Sequence, residues 1–277
     1  MIYDVKSQDT APEKRAPYCD SFPINRFERP FLRDMTYIPD LDIFTFNVSQ
    51  DDSWFYVSIE LIGNDPNNSL GIHYGVELDL DRDGFGNYII WGNPLYDPQW
   101  TTDGIQIFQD TNHDTGGLLA EGSDAPMTGD GYETLIFDRG KGDNPDLAWV
   151  RINASQHATV QFAFSKSLVG DSFMVGVVAD AGLQDVSRYD YNDRFSEEEA
   201  GSPVKNKKYY PLEALYAFDN VCRTAIGFSP SGFESQICPL NGPPPTNQPS
   251  NETNDDSTSP PIDPQRPSID TPNPPYP

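Results

Sequence analysis

The feature that most constrains this chain is a recurrence of short apolar segments divided by turn-forming residues. In order they are LDIFTFNV, WFYVSIELI, HYGVELDLD, YIIW, IQIF, ETLIF, LAWVRI, ATVQFAF, FMVGVVA and LYAF. Segments of this length, rich in β-branched and aromatic residues and bounded by Gly, Pro, Asn and Asp, read as strands. Several alternate with the period of two that a half-buried strand requires. In WFYVSIEL, Phe55, Val57, Ile59 and Leu61 share one face while Trp54, Tyr56, Ser58 and Glu60 share the other. ATVQFAF repeats the pattern with Ala158, Val160, Phe162 and Phe164. FMVGVVA is apolar on both faces, which predicts a central strand covered on both sides. The expected fold is all-β: an antiparallel β-sandwich of about nine to ten strands.

The domain divides accordingly. Residues 1–26 mix charge, Pro and polar side chains without period and read as an arm or linker. The sandwich is expected over 27–240. Residues 241–277, dominated by Pro, Ser, Thr, Asn and Asp, cannot build a packed core and read as a disordered, extended tail. Such tails serve as tethers or as inert solubilising ends.

Charge excludes some partners. With 43 acidic against 18 basic residues the chain carries −25, a surface that repels the phosphate backbone of nucleic acids. No apolar run approaches the roughly 20 residues of a membrane-spanning helix. The three thiols are Cys19, Cys222 and Cys238. Cys222 and Cys238 flank a loop containing Gly, Ser and Pro and are close enough to bridge, which would place the protein in an oxidising, exported compartment, secreted or at the cell surface. Two reduced, buried thiols are the alternative, and Cys19 has no evident partner.

Two loops concentrate carboxylates. In DLDRDG, Asp79, Asp81 and Asp83 precede Gly84, and the pattern D-x-D-x-D-G suits a hard Ca²⁺ ion, which takes about six to eight oxygens at roughly 2.3–2.6 Å. The backbone carbonyl of Phe85 and the side chain of Asn87 are further candidate ligands. The EF-hand pattern fails at its closing position, where Ile90 replaces the bidentate Glu, and the flanks read as strands. A metal-free Asp/Gly hairpin is the alternative. The second loop, QDTNHDTGG, sets Asp110, Asn112 and Asp114 at the same spacing, with Glu121 at the twelfth position, but Thr115 stands in place of Gly. It reads as a weaker metal site or as an ordinary polar loop. His73, His113 and His157 lie far apart, without zinc-ligand spacing.

The segment WGNPLYDPQWTTDG sets Trp91, Tyr96 and Trp100 beside Asp103 and other polar residues. Aromatic faces flanked by carboxylates and amides grip sugars, so this is a candidate carbohydrate platform. The same aromatics could instead pack a long loop against the sandwich.

Two resemblances bear on function. The string ELDLD resembles the E-x-D-x-x-E catalytic strand of family 16 glycoside hydrolases, which would assign paired-carboxylate chemistry to Glu77 and Asp81. Here the final acid is Asp81 rather than Glu, and it runs straight into DRDG. The series DLDIFTFNVSQDDSWFYVSIELIG leading into YGVELDLDRDGFGNYIIW resembles exported DOMON-type β-sandwich domains, to which family 9 carbohydrate-binding modules are similar. That resemblance spans roughly residues 27–220 and implies a noncatalytic sandwich with structural calcium, and in some relatives sugar or haem binding. No His or Met is marked out as an axial haem ligand. The expectation is therefore an exported, calcium-stabilised, noncatalytic module that binds carbohydrate or another cell-surface polymer. The alternatives are a structural spacer protein without a small-molecule ligand and, behind it, a family 16-like glycoside hydrolase using Glu77 and Asp81.

Overall fold

The computed structural model describes residues 1–14, 16–17, 29–115, 129–153, 155–189 and 216–239, all within one compact unit, Met1–Thr246. Cys19, Glu121 and the Pro-rich segment 241–277 lie outside the described residues. The strands are β1 (Ile2–Tyr3), β2 (Ile43–Gln50), β3 (Trp54–Leu61), β4 (His73–Asp79), β5 (Tyr88–Gly92), β6 (Ile105–Gln109), β7 (Thr134–Asp138), β8 (Ala148–Asn153), β9 (Thr159–Ser165), β10 (Phe173–Asp180) and β11 (Phe218–Ile226). They form two antiparallel sheets, one of five strands in the order β1-β2-β3-β9-β8 and one of six in the order β11-β10-β4-β5-β6-β7. The all-β sandwich expected from the segment pattern is the observed architecture.

Alternation explains how the sheets pack. In β3 buried and half-buried residues alternate without a break, and Phe55, Val57 and Ile59 pair with Phe164, Phe162 and Val160 of β9. These side chains meet Tyr74, Val76 and Leu78 of β4 and Val175 and Val177 of β10 in a shared core. Phe55 packs edge-on against Phe173 of the opposite sheet with ring centroids 5.0 Å apart. Burying each such side chain is worth about 1.5–3 kcal/mol, the term that offsets the entropy of ordering the chain.

Over β10, β4 and β5 the six-stranded sheet is covered on its outer face as well. Every residue of β10 is buried, as a strand apolar on both faces requires. Val178 of β10, with Ile89 and Trp91 of β5, packs against Tyr132, Leu183, Val186 and Tyr189 from the connections that lie over this face. Among the described residues the five-stranded sheet has no such apolar cluster over its outer face. On its outer face Trp54, Tyr56, Ser58 and Glu60 of β3 are half-buried.

Three boundaries differ from the sequence expectation. The stretch read as an arm contributes β1, which pairs Ile2 with Phe46 at the edge of the five-stranded sheet. The backbone N–H groups of Ser7 and Gln8 then donate to the Asp42 carboxylate, so side-chain to main-chain bonding holds a segment that has no apolar period. The last strand begins at Phe218, where the LYAF segment ends, and continues through FDNVCRTAI. Its polar residues hid it: Asp219, Asn220 and Arg223 are buried in this strand, and Asp219 accepts a hydrogen bond from the Ile43 N–H at 2.7 Å. The strand β4 stops at Asp79, two residues short of Asp81.

Cys222, on β11, is disulfide-bonded to Cys238 with Cα atoms 4.9 Å apart. The returning segment is further tied by the Cys238 N–H donating to the Arg223 carbonyl at 2.8 Å. The bond closes a loop with a sequence separation of 16. In the chain-entropy model a loop of that length is worth about 3 kcal/mol. Urea denaturation of a Cys222→Ser, Cys238→Ser double variant is expected to show a stability loss of that order with the fold retained.

Candidate functional site

The two acidic loops emerge side by side from one end of the six-stranded sheet and are built alike. Asp79, the last residue of β4, accepts the Arg82 N–H on Oδ1 at 2.6 Å and the Gly84 N–H on Oδ2 at 3.1 Å. Asp110, which follows β6, accepts the His113 N–H on Oδ1 at 2.7 Å and the Thr115 N–H on Oδ2 at 2.9 Å. In both loops the residue three after the Asp has left-handed backbone, with φ of 65° at Arg82 and 59° at His113. This is the Asx-type turn that Asp favours, extended over five residues. The loops are also joined to each other: the Gly86 N–H donates to the Thr115 carbonyl at 2.8 Å and the Asp110 N–H to the Asn87 carbonyl at 3.0 Å.

The predicted ligands therefore divide into two groups. Asp79 and Asp110 are buried anchors, 1% and 2% exposed. Asn87 turns its Oδ1 to the Leu80 N–H. Asp81 and Asp83 are exposed, and with His113 of the second loop they form a cluster whose ligand atoms lie within 4.8 Å of one another. The His113 Nδ1 is 3.3 Å from Asp83 Oδ2. Asn112 donates to Asp114 Oδ2 at 3.0 Å and to Asp130 Oδ1 at 2.9 Å. Sequence spacing identified the two loops but not their partnership, which depends on β4, β5 and β6 being neighbours in one sheet.

Asp79 also has a partner that spacing could not reveal. Arg223 of β11 donates from Nη1 to Asp79 Oδ2 at 3.2 Å and to the Gly84 carbonyl at 3.1 Å, and both side chains of this ion pair are 1% exposed. Burial pushes the Asp79 carboxyl above the ordinary carboxylate range, opposed by the Arg223 charge and the loop N–H groups. The guanidinium thus supplies positive charge on the inner side of the first loop. Removing it with Arg223→Ala leaves Asp79 buried and unpaired. A loss of about 3–5 kcal/mol is expected in urea denaturation, well beyond the cost of an exposed ion pair.

Glu77, the residue read as a possible acid of a hydrolase strand, is 3% exposed, and its Oε1 accepts the Tyr132 hydroxyl at 2.7 Å. Tyr132 lies so close over the sheet that a Cβ on Gly86 would stand 1.9 Å from its hydroxyl oxygen. Asp81 lies in the loop beyond the end of β4, so the two acids do not line one strand face toward an open cleft.

The proposed sugar platform does not assemble as a unit. Trp91 is buried, stacked on His73 with centroids 5.0 Å apart and 9° between planes, and edge-on to Tyr189. Tyr96 is buried with its hydroxyl accepting the Tyr74 N–H at 3.1 Å and lying 2.9 Å from the Gly92 carbonyl. These two aromatics fasten their loop to the sandwich. Asp103 is exposed and lines a polar pocket of about 350 Å³ with Asn93, Asp97 and Arg139. Trp100 alone of the three rings stays half-exposed, and it faces the five-stranded sheet, with its ring 6.4 Å from that of Tyr56 and 4.6 Å from the Arg151 guanidinium carbon.

A further carboxylate, unmarked by any motif, controls the cover on the six-stranded sheet. Asp180, at the end of β10, is fully buried and accepts N–H groups from Gly182, Leu183 and Gln184 at 2.7, 2.8 and 2.8 Å, with the Tyr189 hydroxyl at 3.2 Å. The available clue was an Asp closing an apolar strand immediately before Ala-Gly. Burial outweighs these bonds and raises its pKa from 3.8 to about 6. A raised folded-state pKa means the native protein holds the proton more tightly, so this contribution to stability is full below pH 3.8 and is lost as pH rises through about 6. The loss amounts to about 3 kcal/mol. Stability measured by urea denaturation from pH 4 to 7 is expected to fall more steeply in the parent chain than in Asp180→Asn.

Compared with known proteins, the chain matches no family model, no curated protein and no solved structure. No helix among the described residues is long and apolar enough to cross a membrane. The fold and its loops define a disulfide-bonded β-sandwich domain whose acidic end is held together by buried aspartates.

Proposed function

We propose that this chain is a noncatalytic binding module of an exported protein, engaging carbohydrate or another cell-surface polymer. The observation that carries the reading is a contrast between its surfaces. Glu77, the acid best placed for chemistry by sequence, is closed beneath Tyr132, whereas half-exposed aromatic and polar side chains gather around Trp100 and Tyr56. Export is supported by the Cys222–Cys238 bond, since such bonds persist in oxidising compartments.

Calcium enters this reading at the paired loops, with Asp81 and Asp83 as its exposed carboxylates and Asp79 behind them. Few protein oxygens converge there, so water completes the shell and affinity falls in the weak, extracellular range. Calorimetry of the full chain in calcium several-fold above its Kd is expected to raise the melting temperature over that in EDTA by about 2–4 °C. The increment should vanish in Asp81→Asn with Asp83→Asn. An unchanged melt in the parent chain removes calcium and leaves the binding module to be judged separately.

A further inference from the structure

Three of the four tryptophans of the protein, Trp54, Trp100 and Trp149, belong to the outer side of the five-stranded sheet. Strand register aligns them with polar side chains in two parallel rows. In the first, Tyr56 of β3 and Trp149 of β8 both pair with Ala163 of β9, which lies between them. At about 4.8 Å per strand their backbones stand roughly 10 Å apart across a small residue. In the second row, Asn47, Ser58, Gln161 and Arg151 are successive cross-strand neighbours.

The second row is already ordered. The Arg151 Nε donates to Gln161 Oε1 at 2.7 Å, and Gln161 Nε2 donates to Ser58 Oγ at 3.1 Å. Arg151 uses only its Nε there, so its two Nη groups make no hydrogen bond among the described residues. Trp100 leans in from its loop, its ring over the Arg151 guanidinium and tilted 57° to Tyr56. The Tyr56 hydroxyl is fixed by Asp51 at 2.7 Å. Rings and donors are thus held in place before any ligand arrives, which lowers the entropic cost of binding.

Composition identifies the occupant. The outward residues of β2, β3, β9 and β8 include no Leu, Ile, Val or Met, so the apolar surface of this face is almost entirely aromatic. Aromatic faces interleaved with hydroxyl, amide and guanidinium groups suit a ligand that presents C–H faces and hydroxyls together. On a chain of −25, the only charged outward strand residues here are Glu60 and Arg151. The molecule as a whole repels polyanions, while this face is almost neutral. We infer that the outer face of the five-stranded sheet is a binding platform for an uncharged polysaccharide, with Tyr56, Trp100 and Trp149 stacking on sugar rings and Arg151 and Gln161 bonding hydroxyls. The inference rests on the carbohydrate reading above and moves the site from the Trp91–Trp100 loop to the sheet.

Affinity electrophoresis of the full chain tests it, in gels containing soluble arabinoxylan, mixed-linkage β-glucan or galactomannan, with alginate as the anionic polymer. At least one neutral polymer is expected to retard the protein and alginate to have no effect. Trp149→Ala and Tyr56→Ala should each weaken the retardation by about ten-fold or more. Trp149→Phe should keep most of it, and Asp103→Ala at the neighbouring pocket should change nothing. Arg151→Met, which preserves packing but removes the donors, should cost several-fold and covers the case in which an aromatic deletion fails to fold. Full retardation of folded Tyr56→Ala, Trp149→Ala and Arg151→Met, with loss in Asp103→Ala, overturns the platform but leaves carbohydrate binding standing. Absence of retardation by all three neutral polymers overturns both.

Discussion

The structure depends on buried aspartates that close strand ends by accepting backbone N–H groups. Asp42, Asp79, Asp110 and Asp180 all do this, and Asp219 does it across the sandwich to Ile43. Each satisfies loop donors that would otherwise be desolvated without partners. Each also places a carboxylate where burial opposes its charge, as the raised pKa values of Asp79, Asp110 and Asp180 show. Part of the large acidic excess of the chain is therefore interior architecture rather than surface charge.

The arrangement decides which faces remain open. Loops anchored by Asp180 and by the bond between Tyr132 and Glu77 lie over the outer face of β10, β4 and β5, and Tyr189 of one of them packs on Trp91 beneath. Over these strands the six-stranded sheet is covered on both sides, while Leu135 and Ile136 of the edge strand β7 stay exposed. The five-stranded sheet keeps its outer strand residues half-exposed, and there the aromatic side chains carry polar neighbours instead of a second apolar layer. A binding role for that face and a scaffolding role for the acidic loops are compatible, because they occupy different sheets. Arg223 illustrates the scaffolding: a single buried guanidinium joins β11 to the end of β4 and to the turn that follows it.

Much of the fold was legible because alternation is local. The segments WFYVSIEL and ATVQFAF announced their core faces, and FMVGVVA its central place, since strand side chains alternate regardless of context. The first and last strands were not legible. Ile2–Tyr3 is too short to show a period, and Asp219 and Arg223 interrupt the apolar pattern of β11 with residues whose partners are distant in sequence. The aromatic face was half legible. Trp54 and Tyr56 were assigned outward, but Trp149 could be set beside them only through the pairing of β3, β9 and β8.

The sequence by itself determined the all-β class, the core faces of the regular strands, the two Asp-rich turns and the pair of cysteines near enough to bond, all properties of neighbouring residues. Only the tertiary structure decided that Asp79 answers to Arg223, that His113 joins Asp81 and Asp83, that Trp91 and Tyr96 are structural, and that Trp100 turns toward Tyr56. The physical reason is the same in each case. A side chain's role follows from what it meets across a sheet or between sheets, and strand pairing brings together residues that no spacing along the chain relates.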